Sequence, residues 1–293
     1  MTERTGTNPL GACTWLWTAP FADADAAPLA DRVARLGFDV LEVCVEDVDG
    51  VSAETLNAAA ASAGIALSVC GAFGPERDLA HRDPGPRDNA LEYIARLADL
   101  AAAVGSPHVC GPMYSAVGKP RLEDAQARAA ERRRSVENLR RAADRAASVG
   151  VRLAVEPLNR YETDLVNTVE QGLELCDAVG ADNVGLLLDT YHMNIEEKSL
   201  GDAIRAGGER VFHFHSCEND RGTPGTGHVP WADAFTALAD IGYSGQVVIE
   251  SFTPAVREIA RAVSLWRPLD ASGDELAAGG LGFLRDALAA AQR

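Results

Sequence analysis

The sequence predicts a single-domain α/β protein built as a closed (β/α)8 TIM barrel. Three observations carry that expectation. Short apolar runs alternate strictly with longer Ala/Leu/Arg-rich runs, eight of each, and such alternation argues for a parallel sheet with crossover helices. The length of 293 residues suits eight such units, which fit a closed barrel better than an open doubly wound sheet. No Gly-rich dinucleotide fingerprint follows the first strand, which weakens the Rossmann alternative.

In chain order the first strand is expected over 11–17 (GACTWLW), followed by a helical pattern near 28–36. The next strands fall at 40–44 (VLEVC) and 66–70 (ALSVC), with a helix at 52–63 between them. A helix at 88–104 leads to the strand at 108–111, and a long Arg-rich helix at 122–148 leads to the strand at 152–156 (RLAVE). Helix 168–179 precedes strand 184–189 (VGLLLD), helix 199–206 precedes strand 211–215 (VFHFH), and helix 231–241 precedes strand 246–249 (QVVI). A last helix covers 276–290. Gly37, Gly64, Gly105, Gly150, Gly180 and Gly242 each fall just after a helical run, where a left-handed cap is wanted. Segment 254–275 is irregular and carries Trp266; it is expected to pack across the barrel mouth.

The formal charge of −16 repels polyphosphate, which argues against nucleic-acid or anionic-membrane partners. No run of 18 apolar residues is present, so no membrane span is expected. The start, MTERTGTNPLGAC, has no basic segment followed by an apolar stretch, so no secretory leader is expected. The six cysteines are scattered without a C-x-x-C pair. They are expected to be reduced, mostly buried thiols of a cytoplasmic enzyme.

In a barrel of this kind functional groups sit at the C-terminal ends of the strands. Strand five ends on Glu156, strand six on Asp189, strand seven on His215 and strand eight on Glu250. Each carboxylate follows an apolar run in which its charge is costly without a partner. One alone reads equally well as a helix cap or an Arg partner; four in succession point to a divalent cation. The oxygen-rich set with one nitrogen and no thiolate favours Mn²⁺, with Mg²⁺ or Co²⁺ as alternatives, over structural Zn²⁺. His213 shares a strand face with His215 one layer deeper and is expected to be a hydrogen-bonded core histidine. Glu162, His192 and Arg221 follow the strand ends on loops at the same face, where a carboxylate, an imidazole and a cation suit a polyhydroxylated ligand. Trp15, Trp17 and Tyr114 are expected in the core, whereas Phe252 is expected to line the pocket. Cys13, Cys44, Cys70 and Cys110 read as small buried hydrophobes.

The segments DTYHMNIEE, E-P-L-N-R-Y-E, H-x-x-E-N-x-R, G-x-G-H-V-P-W and V-I-E-S-F resemble the ketose 3-epimerases. This is the D-tagatose/D-psicose 3-epimerase group of the sugar-phosphate isomerase/epimerase-like TIM barrels. The resemblance runs from about residue 11 to 267. It implies that Glu156, Asp189, His215 and Glu250 hold the metal and that Glu156 and Glu250 are the acid–base pair. It also implies that Glu162, His192 and Arg221 hold the sugar's first three oxygens, and that the protein is a homodimer or homotetramer. Three departures concern sugar preference: Cys217 where the family usually has Gly, Cys13 in place of an aromatic, and no Trp in CGPMYSAVG.

The expected reaction removes the proton at C3 of a free ketose such as D-tagatose, D-fructose, D-psicose or L-ribulose. It passes through a cis-enediolate, and a proton returns on the opposite face. The absence of a Gly-rich phosphate cradle after strands seven and eight favours free sugars over phosphorylated ones. A 1,2-isomerase acting on hydroxypyruvate or an aldose–ketose pair, and a sugar or cyclitol dehydratase, remain alternatives on the same scaffold. A multi-zinc DNA-repair barrel would want more His ligands and a basic face. A non-catalytic sugar-binding barrel would not need a paired acid and base.

Overall fold

The computed structural model describes residues 8–118 and 124–292. Eight parallel strands form one closed barrel in sequential order, β8 pairing back onto β1. The strands are β1 (Leu10–Cys13), β2 (Val40–Val45), β3 (Ala66–Gly71), β4 (His108–Gly111), β5 (Arg152–Val155), β6 (Val184–Asp189), β7 (Val211–His215) and β8 (Val247–Ile249). The connecting helices are α1 (Asp23–Leu36), α2 (Ala53–Ala63), α3 (Pro84–Val104), α4 (Ala125–Ala147), α5 (Val169–Val179), α6 (Thr190–Glu196), α7 (Leu200–Gly207), α8 (Trp231–Asp240), α9 (Arg257–Ala262) and α10 (Gly273–Ala291). The first two residues of the helix expected over 122–148, and residues 1–7 of the segment read for a leader, lie outside the described residues.

The helix boundaries follow local chemistry. Side chains of Ser52, Asp124, Thr168, Ser199 and Ser272 each accept a backbone N–H in the first turn of a helix. Gly37, Gly64, Gly105 and Gly180 close α1, α2, α3 and α5 in the left-handed conformation. Outside the barrel, apolar faces of strands and helices share one continuous core. Inside it, Cys13, Cys44, Cys70, Cys110, Ala154, Leu187 and Val248 pack together below Trp15 and Phe252. All six thiols are free and buried.

Four differences from the sequence reading have structural causes. β1 stops at Cys13, because the chain winds into a 3-10 turn over Thr14–Leu16. That turn is fixed by Cys44 N–H donating to Thr14 Oγ1 at 3.0 Å. It carries Trp15 over the barrel mouth, so Trp15 lines the cavity there as well as packing in the core. β5 ends at Val155 rather than at Glu156, whereas β8 ends at Ile249 as expected, so Glu156 and Glu250 each stand one residue beyond their strand. Helix α6 begins directly after β6, because Asp189 accepts from the N–H groups of Tyr191 and His192. The 254–275 segment contains α9, and Ile259, Ala262 and Val263 reach the cavity, but Trp266 is 76% exposed and faces solvent.

Gly111 sets the height of Glu156. It ends β4 at φ 129°, and a Cβ there would lie 2.8 Å from the Gly71 carbonyl oxygen. Its own carbonyl accepts the Glu156 N–H at 3.2 Å. Replacement by Ala adds both a clash with rigid backbone and a disfavoured φ. Gly111→Ala is expected to lower stability by about 2–4 kcal/mol in denaturant titration.

Candidate active site

The ends of β5 to β8 bring four ligand-type side chains together. One ligand atom each from Glu156, Asp189, His215 and Glu250 lies within 4.8 Å of all the others, and all four residues are buried. His215 Nδ1 is 3.6 Å from Glu250 Oε1 and 3.8 Å from Asp189 Oδ2. Buried Glu156 Oε1 and His215 Nδ1 have no hydrogen-bond partner. Unsatisfied buried polar atoms are costly, and a cation between them removes that cost. The donor set therefore fits a divalent ion: three carboxylates and one imidazole, with no thiolate.

The electrostatics express the same crowding. Burial, followed by the charge of Glu250, pushes the Glu156 carboxyl well above its usual range. Burial also raises Asp189, and with Glu250 it outweighs the opposing pull of Arg221, to about 7. Burial pulls His215 down, but the carboxylates of Glu42 and Glu250 outweigh it and hold the imidazole well above its usual value. The guanidinium of Arg221 supplies a fixed positive charge. Its Nη1 donates to Glu250 Oε2 at 2.5 Å and to Asp189 Oδ2 at 3.4 Å.

Arg221 is held in place from several sides. Its backbone is left-handed at φ 69°, uncommon for a residue with a side chain. Ser251 Oγ donates to its carbonyl, and its N–H donates to the Glu218 carbonyl at 2.9 Å. The guanidinium stacks 3.9 Å over the Tyr191 ring and 5.0 Å from that of Phe252. Glu218 organises the whole loop. Its carboxylate accepts from the backbone N–H groups of Asn219, Gly225 and Val229 and from Trp231 Nε1.

Glu162 and His192 meet at Asn159. The Asn159 backbone N–H donates to His192 Nδ1 at 3.1 Å, and its side-chain Nδ2 lies 2.8 Å from the same atom. That side chain also donates to Glu162 Oε1 at 3.0 Å. The backbone N–H makes Nδ1 the acceptor and leaves the ring proton on Nε2, which also lies 3.3 Å from Arg221 Nη2. Nε2 lies 3.6 Å from Glu156 Oε1. Burial, then Arg221, keeps this imidazole well below its usual pKa, so it is neutral.

A cavity of about 400 Å³ opens above these groups. Glu156, Glu162, His192, Arg221 and Glu250 line its polar side, and Trp15, Phe73, Val117, Phe252 and Ile259 line the rest. The structure thus brings Phe252 and all three loop residues to one chamber. Asp189 and His215 lie beneath it.

Residues 30–286 match the Xylose isomerase-like TIM barrel family. The chain is 35% identical to the D-psicose 3-epimerase of Ruminiclostridium cellulolyticum over 86% of its length and 87% of that protein. It is 34% identical to the ketose 3-epimerase of Arthrobacter globiformis, covering 96% of this chain and 97% of that one. The chain belongs to the ketose 3-epimerases. Among solved structures, D-psicose 3-epimerase with D-tagatose from Clostridium cellulolyticum H10 matches at TM-score 0.88 and 34% identity, over 96% of this chain and 99% of that one. D-allulose 3-epimerase from Methylomonas sp. in complex with D-allulose matches at TM-score 0.90 and 30% identity, over 96% and 97%. This places the chain among isomerase-class enzymes of ketose metabolism.

Against that family background, Cys217 lies at the base of the Arg221 loop, its Sγ 3.1 Å from Arg221 Nη1. Cys13 sits beneath the site, its Sγ 3.7 Å from the Ser251 carbonyl. Pro112 and Val117, from the segment without a Trp, form part of the cavity wall.

Sequence reasoning missed Asn159, Glu218 and Glu42. Each left a signal: a polar residue inside the E-P-L-N-R-Y-E or H-x-x-E-N-x-R segment, or one carboxylate in the apolar strand VLEVCV. Asn159→Ala removes the side-chain amide that holds Glu162 and touches His192, while the backbone N–H to His192 Nδ1 remains. It is expected to cost about 1–3 kcal/mol of stability. It should also raise KM for a ketose about tenfold with a smaller change in kcat, read from steady-state kinetics.

Proposed function

We propose that the protein epimerises free ketoses at C3 with the help of a divalent cation, Mn²⁺ by preference and Mg²⁺ or Co²⁺ as alternatives. Glu156, Asp189, His215 and Glu250 would hold the ion. When bound, it supplies Lewis-acid stabilisation of the charge that develops on the ketose oxygens, worth several kcal/mol. The observation that carries this reading is the buried four-donor cluster on consecutive strands, with unpartnered Glu156 Oε1 and His215 Nδ1.

The chain's own groups divide the remaining work. Glu156 and Glu250 rise from strands three steps apart around the barrel and serve as the acid–base pair. One removes the C3 proton, and the other returns a proton to the opposite face, each worth roughly 10²–10⁴-fold in rate. The burial that raises Glu156 favours its protonated form, as a proton donor requires. His192 presents Nε2–H to a substrate oxygen, Arg221 presents its guanidinium, and Glu162 accepts from a hydroxyl. Phe252 and Trp15 cover the chamber against water; their rings lie 5.6 Å apart. The sugars named for the relatives, D-psicose (also called D-allulose), D-tagatose and L-ribulose, support a free five- or six-carbon ketose as substrate. Six free buried thiols support a reducing, cytoplasmic setting.

The test is to incubate Mn²⁺-loaded protein with D-fructose, D-tagatose and L-ribulose and resolve the products by chromatography. The 3-epimer of at least one ketose is expected. An aldose would favour a 1,2-isomerase, and loss of water a dehydratase. Glu156→Gln and Glu250→Gln should each lower kcat at least 10³-fold in a folded protein. Chelation should silence the wild type, and Mn²⁺ should restore it.

A further inference from the structure

Directly beneath the four-donor cluster lies a second buried polar group. Glu42 stands in the middle of β2 and is fully buried inside the barrel. Its Oε1 is 2.8 Å from His215 Nε2, and its Oε2 is 2.7 Å from His213 Nε2 and 3.0 Å from Ser68 Oγ. A carboxylate offers only acceptors, so each imidazole must turn a protonated Nε2 toward it. In the neutral ring, the form that can ligate, His215 then carries no proton on Nδ1, the atom that faces Glu250 and Asp189 and has no hydrogen-bond partner.

We propose that Glu42 is a positioning residue for the metal site. It locks His215 in the Nε2–H tautomer and so presents a bare Nδ1 as the single nitrogen donor. This rests on the reading above that the cluster holds a divalent cation. An imidazole held only by packing can place its proton on Nδ1, and that proton blocks ligation. A carboxylate behind the ring prevents this and raises the basicity of the ligating nitrogen. The arrangement also explains His213, whose Nε2–H shares the charge of Glu42. Ser68 takes a further acceptor site, so a buried carboxylate that would otherwise be costly is satisfied on both oxygens.

Glu42, Cys110, His213 and His215 also lie within 4.8 Å of one another and so form a ligand set in their own right. Binding there would require both Nε2 atoms to lose their protons and to part from Glu42, against the 2.7 and 2.8 Å contacts.

The experiment compares wild type, Glu42→Gln and Ser68→Ala. Mn²⁺ affinity is measured by competition with a chelating indicator. Histidine tautomers are read by NMR of ¹⁵N-histidine-labelled, metal-free protein at a pH where the His215 ring is neutral, so that the tautomer reports Glu42 and not a bound ion. Gln keeps the shape but can turn an N–H toward His215 Nε2, which drives the proton to Nδ1. Glu42→Gln is expected to bind Mn²⁺ about 10–100-fold more weakly. Ser68→Ala, which touches Glu42 but not His215, should stay within about threefold of wild type. Wild-type His215 should show a protonated Nε2 and a bare Nδ1. That last reading decides the matter even if the Gln variant fails to fold. A protonated Nδ1 in the wild type, or unchanged affinity in folded Glu42→Gln, overturns the role of Glu42 alone. Failure of the wild type to bind Mn²⁺ overturns the metal reading, and this inference with it.

Discussion

The structure turns on one electrostatic constraint: three carboxylates share a buried space a few ångströms wide at the end of a closed barrel. Two unit charges 4 Å apart repel by roughly 4 kcal/mol at an effective dielectric of 20. Three such pairs are not tolerated without positive charge or protons between them. The upward shifts of Glu156 and Asp189 are the local expression of this cost. Arg221 offsets part of it, and a divalent ion would offset the rest. The charge that makes the cluster unstable alone is also what suits it to hold a cation beside a reactive ketose.

The barrel serves this constraint through small backbone decisions. β5 and β8 end at Val155 and Ile249, so Glu156 and Glu250 stand one residue beyond their strands, at the mouth. α6 starts directly after Asp189, which caps it, so Asp189 is held by two backbone N–H groups while its other oxygen faces the cluster. A strained Arg221 is tolerated because Glu218 gathers four donors around its loop. Asn159 does the same for His192 and Glu162. Rigid supports of this kind let loop residues act with the precision of strand residues.

Much of this was legible from the sequence because period and position carry information in a barrel. The strand spacing placed the ends of strands five to eight to within one residue, and the residues at or just after those ends are the ones that cluster. Capping glycines marked helix ends for the same reason: only glycine adopts a left-handed backbone at little cost. What escaped depends on contacts between segments far apart in the chain. Glu42 meets His215 across 173 positions, and no local pattern encodes that pairing. Trp15 was placed in the core because an apolar run reads as strand; the turn fixed by Thr14 also sends it over the mouth. Segment 254–275 was expected across the mouth; Ile259, Ala262 and Val263 do line the cavity, while Trp266 stands in solvent.

The most direct measurement of the central claim is anomalous diffraction from crystals soaked in Mn²⁺. The account predicts one strong peak per chain, about 2.0–2.4 Å from carboxylate oxygens of Glu156, Asp189 and Glu250 and from Nδ1 of His215. A peak instead among Glu42, Cys110, His213 and His215, or no peak inside the barrel, would contradict it.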